Sequence, residues 1–157
     1  MRERRETTAG QRLKEKGLNL ALAESLTGGL VSHMVTNVPG SSEWFKGGVV
    51  AYTDEVKKSM QGVKATTLKK YGPVSMETAK EMAAGIRKKL KSDIGLAATG
   101  IAGPTGGTRE KPVGTVFIAI SGGKRTYGKR LSLKGTRGAI KKKAANAALK
   151  TLWMFLK

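Results

Sequence analysis

Ala21-Leu-Ala-Glu-Ser-Leu-Thr-Gly-Gly29 is the stretch on which the reading of this chain turns. The mostly apolar run from Leu18 to Ala23 predicts a short buried strand that ends at Glu24-Ser25. Beyond it, Leu26, Leu30, Val31, Met34 and Val38 recur at helical spacing and predict a helix over 26–37. Ser25 then stands where a strand turns into a helix. Thr27, Gly28 and Gly29 fall in the first helical turn, whose N–H groups lack intrahelical acceptors. A hydroxyl beside free N–H groups has the parts of a nucleophile next to an oxyanion hole. The same placement suits a plain N-cap, a role that serine often fills.

Outward from this stretch the chain alternates. Residues 1–6 are expected to fray, and 7–16 read as a helix stopped by Gly17. Phe45 to Tyr52 reads as a second strand, and Asp54 can cap a short helix over 55–60. A helical turn over 66–71 closes at Gly72-Pro73, and Ser75 caps a longer helix reaching Lys91. Ile94 to Thr99 is apolar throughout, as a central strand would be, and runs into a glycine-rich loop over 100–108. Val113–Ile120 and Arg125–Leu133 form a predicted hairpin about Ser121-Gly-Gly-Lys124, and a final helix covers 136–156. The order predicts an α/β fold in three layers, read as one domain over 1–157. Sites in such sheets form outside the carboxyl ends of strands. If the first three strands are parallel neighbours, Ser25, Tyr52 and the loop from Gly100 share one rim.

Composition limits the chemistry. The absence of cysteine removes disulfides, thiolate nucleophiles and zinc–thiolate sites. With no apolar run long enough to span a bilayer and no signal-like N-terminus, a cytoplasmic location and no membrane partner are expected. Lys and Arg number 30 against 11 Asp and Glu, a net charge of +19. Such an excess can serve nucleic acid or an anionic substrate. Here the basic residues are dispersed along the sequence and aromatics are few, so a basic surface without specific nucleic-acid recognition is expected.

The single histidine, His33, lies eight residues beyond Ser25 on the same predicted helix, about 12 Å along its axis. It cannot be the base for Ser25. A lysine can replace it if burial or nearby cations depress its pKa. Tyr52-Thr-Asp-Glu-Val-Lys57 offers a tyrosine and a lysine at one strand-to-helix turn. Each has an ordinary alternative: Tyr52 as a capping aromatic and Lys57 as a solvated helix residue.

Three blocks together resemble the C-terminal domain of the competence/damage-inducible protein CinA, which also occurs alone as nicotinamide mononucleotide deamidase. They are Ala23–Gly29, Gly47–Lys57 followed by Gly62-Val63, and Thr99–Thr115; Val38–Ser42 and Pro73–Ser75 also match. The resemblance implies a three-layer α/β/α sandwich with a mixed, mostly parallel five-stranded sheet. It implies an amidohydrolase that releases ammonia from nicotinamide mononucleotide, with Ser25, Tyr52 and Lys57 as catalytic residues. No metal and no cofactor are implied, and the partner is a small nucleotide. In the mechanism this implies, neutral Lys57 takes the proton of Ser25, with Tyr52 hydrogen-bonded between or beside them, and N–H groups around Thr27–Gly29 hold the oxyanion. Thr27, Gly28, Gly29, Gly100, Gly103, Thr105, Gly106 and Arg137 are the expected substrate-binding residues, the loop and Arg137 cradling phosphate. Self-association into a homo-oligomer is compatible with the sequence. Leu26, Asp54 and Thr136 depart from the usual family residues, a smaller one (often Cys), Asn and Asp, and none removes a catalytic group. Two alternatives stand beside this reading: a family member that binds a nucleotide without turnover, and a basic nucleic-acid-binding module.

Overall fold

The computed structural model describes residues 5–157. Its elements in chain order are α1 (Arg5–Glu15), β1 (Leu20–Glu24), α2 (Leu30–Thr36), β2 (Phe45–Val50), α3 (Asp54–Gln61), α4 (Ala65–Tyr71), α5 (Met76–Lys89), β3 (Ile94–Gly100), β4 (Thr115–Gly122), β5 (Arg125–Ser132) and α6 (Arg137–Phe155). Of the terminal residues expected to fray, 1–4 lie outside the described residues, while Arg5 and Glu6 open α1.

The five strands form one sheet in the order β2-β1-β3-β4-β5. β1 pairs in parallel with both β2 and β3, and β4 runs antiparallel to β3 and β5. Four strands therefore point one way and only β4 is reversed. The strand ends meet as expected: Glu24 at the end of β1 is in register with Val50 of β2 on one side and Ala98 of β3 on the other.

Alternation within strands makes the two cores. Leu20 and Leu22 of β1, Leu96 and Ala98 of β3, and Ile118 and Ile120 of β4 face the larger core with side chains of α1, α2 and α6. The opposite face carries Ala21, Ala23, Ala97 and Ala119 under α5 residues Ala79, Met82, Ala83 and Ile86. Small residues there let α5 lie close to the sheet. At Gly95 the approach is closest, since a Cβ would stand 2.0 Å from the Ala83 carbonyl oxygen. This is the three-layer sandwich the sequence led us to expect.

The main departure lies at the start of α2. The helix begins at Leu30, with Gly29 at its N-cap, four residues later than its apolar spacing predicts. Gly28 and Gly29 both have positive φ, 59° and 94°. That conformation belongs to a left-handed turn, which glycine adopts without steric penalty. Ser25–Gly29 is thus a separate tight turn between strand and helix, and Thr27, Gly28 and Gly29 are not in a helical turn.

Candidate active site

Glu24, at the end of an otherwise apolar strand, organises this turn. Its side chain is 1 % exposed. Oε2 accepts from the N–H groups of Gly29 (3.0 Å) and Val31 (3.1 Å), and Oε1 from the N–H (2.8 Å) and hydroxyl (2.7 Å) of Ser32. One carboxylate therefore satisfies the first donors of α2 and closes the turn that carries Ser25. Sequence reading passed over Glu24; a lone acid inside an apolar run was the available signal.

Ser25 sits at the break in the ladder. Its N–H still donates to Ala98 O at 3.0 Å, but its carbonyl turns back to accept from Gly28 N. The Gly29 N–H is held by Glu24. Neither glycine N–H is therefore free to hold an oxyanion, contrary to the expectation for both. Among the described residues, the N–H groups of Leu26 and Thr27 have no acceptor. They are the donors beside Ser25. The Thr27 hydroxyl is buried without a partner. The Ser25 hydroxyl also makes no hydrogen bond, but it keeps some access to solvent.

Lys57 reaches this break from α3. The Ala51 N–H donates to Glu24 O at 2.8 Å, as a parallel ladder requires. The next rung would join the Leu26 N–H to the Ala51 carbonyl. That carbonyl instead accepts from Lys57 Nζ at 3.1 Å, with Tyr52 O a second acceptor at 3.5 Å. The ammonium thus takes the acceptor that the next rung, from the Leu26 N–H, would have used. No hydrogen bond joins Lys57 Nζ to the Ser25 hydroxyl in this structure. The side chain is 2 % exposed, and the only ion pair among the described residues is Lys14–Glu43, at the surface. Burial pushes the Lys57 pKa below its ordinary value, and the negative charge of Asp54 opposes this only in part.

Tyr52 is placed differently from the expected relay. Its side chain is exposed, and its hydroxyl accepts from Arg137 at 2.6 Å. Lys57 meets the Tyr52 main-chain carbonyl, not its hydroxyl. The other arm of the Arg137 guanidinium donates to Gly103 O at 2.6 Å. Arg137 therefore ties the end of β2, the glycine-rich loop and the start of α6 together at one rim. Thr136 caps α6 by accepting from Ala139 N, so it performs the N-cap role that Asp can also fill.

Within the loop the expected binding residues divide. Gly100 and Gly103 pack tightly, since a Cβ would stand 2.7 Å from Thr115 O at the first and 2.4 Å from Val113 Cγ1 at the second. They shape the loop by close packing. Thr105 and Gly106 are exposed at its crest, on the same loop that Arg137 holds at Gly103. Lys141, which sequence reading did not single out, lies one helical turn after Arg137, and its Nζ would stand 3.3 Å from a Cβ at Gly28. The i, i+4 spacing from Arg137 was the signal available for it. His33 is exposed and faces Asn37, as expected for a residue with no part in the site.

Comparison with known proteins places the chain in a family. The model of the CinA C-terminal domain family matches residues 2–156. A CinA-like protein of Thermotoga neapolitana is 48% identical over 155 residues, covering 99% of this chain and 38% of the relative. One from Kosmotoga olearia is 51% identical over 137 residues, covering 87% and 33%. The chain thus spans little more than a third of the length of these relatives. Among solved structures, a CinA superfamily protein from Enterobacter cloacae superposes with a TM-score of 0.94 at 33% identity, covering 98% of this chain and 90% of that one. A competence/damage-inducible protein from Agrobacterium tumefaciens gives 0.90 at 33% identity, covering 99% and 98%. The turn at Ser25, the lysine in the broken ladder and the loop tied by Arg137 are therefore set on the fold of the CinA C-terminal domain family, to which this chain belongs.

Proposed function

We propose that this chain is an amidohydrolase that converts nicotinamide mononucleotide to nicotinate mononucleotide and ammonia, with Ser25 as nucleophile and Lys57 as general base. The observation that carries the reading is the Lys57 head group. It is buried, has no carboxylate within ion-pair distance among the described residues, and donates to the carbonyl of Ala51, the residue opposite Ser25 where the β1–β2 ladder ends. Burial lets an ammonium held that way lose its proton at a lower pH than an exposed one, and a neutral amine is what Ser25 needs.

In the proposed reaction, neutral Lys57 takes the Ser25 proton as Oγ attacks the carboxamide carbon. The carbonyl oxygen becomes an oxyanion, stabilised by the N–H groups of Leu26 and Thr27. The ammonium of Lys57 returns a proton to the departing nitrogen, and ammonia leaves an acyl ester on Ser25. Neutral Lys57 then deprotonates a water, which attacks the ester; the serine regains its proton and the nicotinate carboxylate departs. Tyr52 acts through Arg137 and fixes the rim. Arg137 and Lys141 supply positive charge for the phosphate, and Thr105 and Gly106 supply exposed loop backbone.

The test is ammonia release from nicotinamide mononucleotide, with nicotinate mononucleotide formed in equal amount. Ser25→Ala should abolish both while nucleotide binding remains. Nucleotide binding by the wild-type chain with no ammonia released would refute the catalytic reading and leave a binding protein.

A further inference from the structure

We infer that the rim opposite the candidate active site is a platform for single-stranded nucleic acid, bound without sequence preference. Basic residues far apart in the sequence converge there. A cleft of about 550 Å³ opens where β1 and β3 begin, at the β4–β5 turn and the end of α6. Five basic side chains line it, Lys16, Arg87, Lys124, Arg125 and Lys157, against one acidic side chain, that of Asp93. Asp93 is already engaged by the N–H of Asn19 at 2.9 Å. None of the five cations has an acidic partner among the described residues.

The walls add flat π surfaces to this charge. Arg125 lies over the Phe155 ring at 4.6 Å and donates to the Phe155 carbonyl. The ring itself rests on Gly122, where a Cβ would stand 3.0 Å from Phe155 Cε1. Lys157 reaches from the wall to lie 4.0 Å over the ring of Trp153, which stands outside the cleft lining. Around the corner Arg125, Phe155 and Lys157 also line a second cleft, joined there by Lys129 and by Tyr127, which is 46% exposed. The two clefts form one path with cations along it and an open aromatic face on it.

This pairing selects the ligand. An acidic peptide would need only the cations. Unpaired bases use both, stacking on aromatic rings and guanidinium planes while phosphates meet the lysines. The cations line a concave path and do not stand on a projecting face, which favours a flexible single strand over a rigid duplex. The inference is independent of the amidohydrolase reading, because the two sites lie at opposite ends of the strands.

The test uses the whole chain and a fluorescein-labelled mixed-sequence DNA strand of about 12 nucleotides, a length in the range that single-strand-binding domains of other folds cover. Anisotropy titrations run between about 50 and 200 mM salt. The triple charge reversal Lys124→Glu, Arg125→Glu and Lys157→Glu should weaken binding at least roughly tenfold at low salt. It should also lower the slope of log affinity against log salt by about 2, from three contacts at roughly 0.7 each. An equal reversal elsewhere, Lys46→Glu, Lys58→Glu and Lys69→Glu, should cost less than about threefold. Tyr127→Ala, at an exposed position, should weaken the single strand several-fold and leave the salt slope unchanged. Equal losses in the two triple variants would show that net charge alone binds the strand and overturn the inference. So would a duplex of the same sequence or a polyglutamate peptide binding as tightly as the single strand. Far-UV circular dichroism and cooperative urea unfolding should be retained in all three variants, which shows that they are folded whether or not the other rim releases ammonia.

Discussion

Replacing Glu24 tests whether the turn that carries Ser25 is held as argued above. In Glu24→Ala the donors of Gly29, Val31 and Ser32 lose their shared acceptor in a partly buried region. Hydrogen bonds to a charged acceptor are worth about 1.5–3 kcal/mol each, but the four share one carboxylate and do not add. Water can reach the hydroxyl end more readily than the Val31 N–H, whose bond is fully buried. Counting one strong charged bond fully lost and the others partly re-satisfied gives a loss of about 3–5 kcal/mol, since each buried donor left unsatisfied costs about 1–3 kcal/mol. For a chain of this size that lowers Tm by roughly 6–20 °C. Glu24→Gln keeps the shape and one acceptor oxygen but turns an NH2 toward donors, and should lose about half as much. Urea unfolding followed by circular dichroism gives the difference from the midpoint and slope. A loss below about 1 kcal/mol for Glu24→Ala would refute the claim that this carboxylate holds the turn.

Lys57→Arg should be nearly inactive from neutral to alkaline pH, because guanidinium keeps its proton throughout. Wild-type ammonia release should rise with pH through an apparent pKa below the ordinary lysine value of ~10.4, in the direction set by burial. Arg137→Met should raise KM for the nucleotide and loosen the link between Tyr52 and the loop, while Tyr52→Phe, losing only the hydroxyl that Arg137 holds, should lower kcat by less than Lys57→Arg does. Steady-state kinetics across pH read all three.

Why some of this was legible in the sequence and some was not has a physical reason. Strand identity was plain because Ile94–Thr99 and the run into Ala23 are apolar on both faces, as buried central strands must be. The shared rim followed from parallel pairing of β1 with its two neighbours. The start of α2 was misplaced because Leu26 fits a helical period that two left-handed glycines interrupt; spacing carries no information about φ. Lys57 gave no sign of its burial, since α3 is a largely polar helix and the environment of Lys57 comes from the end of β2. The hydrogen-bond partner of the Tyr52 hydroxyl was not legible for a related reason. Its partner Arg137 is 85 residues away, and no local pattern joins them. The basic residues looked dispersed because convergence at a rim depends on topology.

The burial of Lys57 is itself an argument for function, and its sign can be tested. A lysine buried without a carboxylate destabilises the fold as long as its charged form is the stable one in water. Its pKa in the folded chain lies below that of the unfolded chain. Between those two values the unfolded state holds one more proton, so stability rises with pH by up to about 1.4 kcal/mol per unit. Below the folded value both states are protonated and the penalty stands in full. Above ~10.4 both are neutral and it vanishes. Lys57→Met keeps the length and loses the charge, together with the bonds to Ala51 and Tyr52. Those lost bonds contribute a constant offset, whereas the titration contributes a slope. The stability of wild type relative to Lys57→Met, measured by urea unfolding from neutral pH to about 10.5, should therefore improve as pH rises through the window and flatten only near its upper end. A difference that does not change with pH would mean that Lys57 titrates alike in both states, and an amine with no depressed pKa could not serve as the base for Ser25.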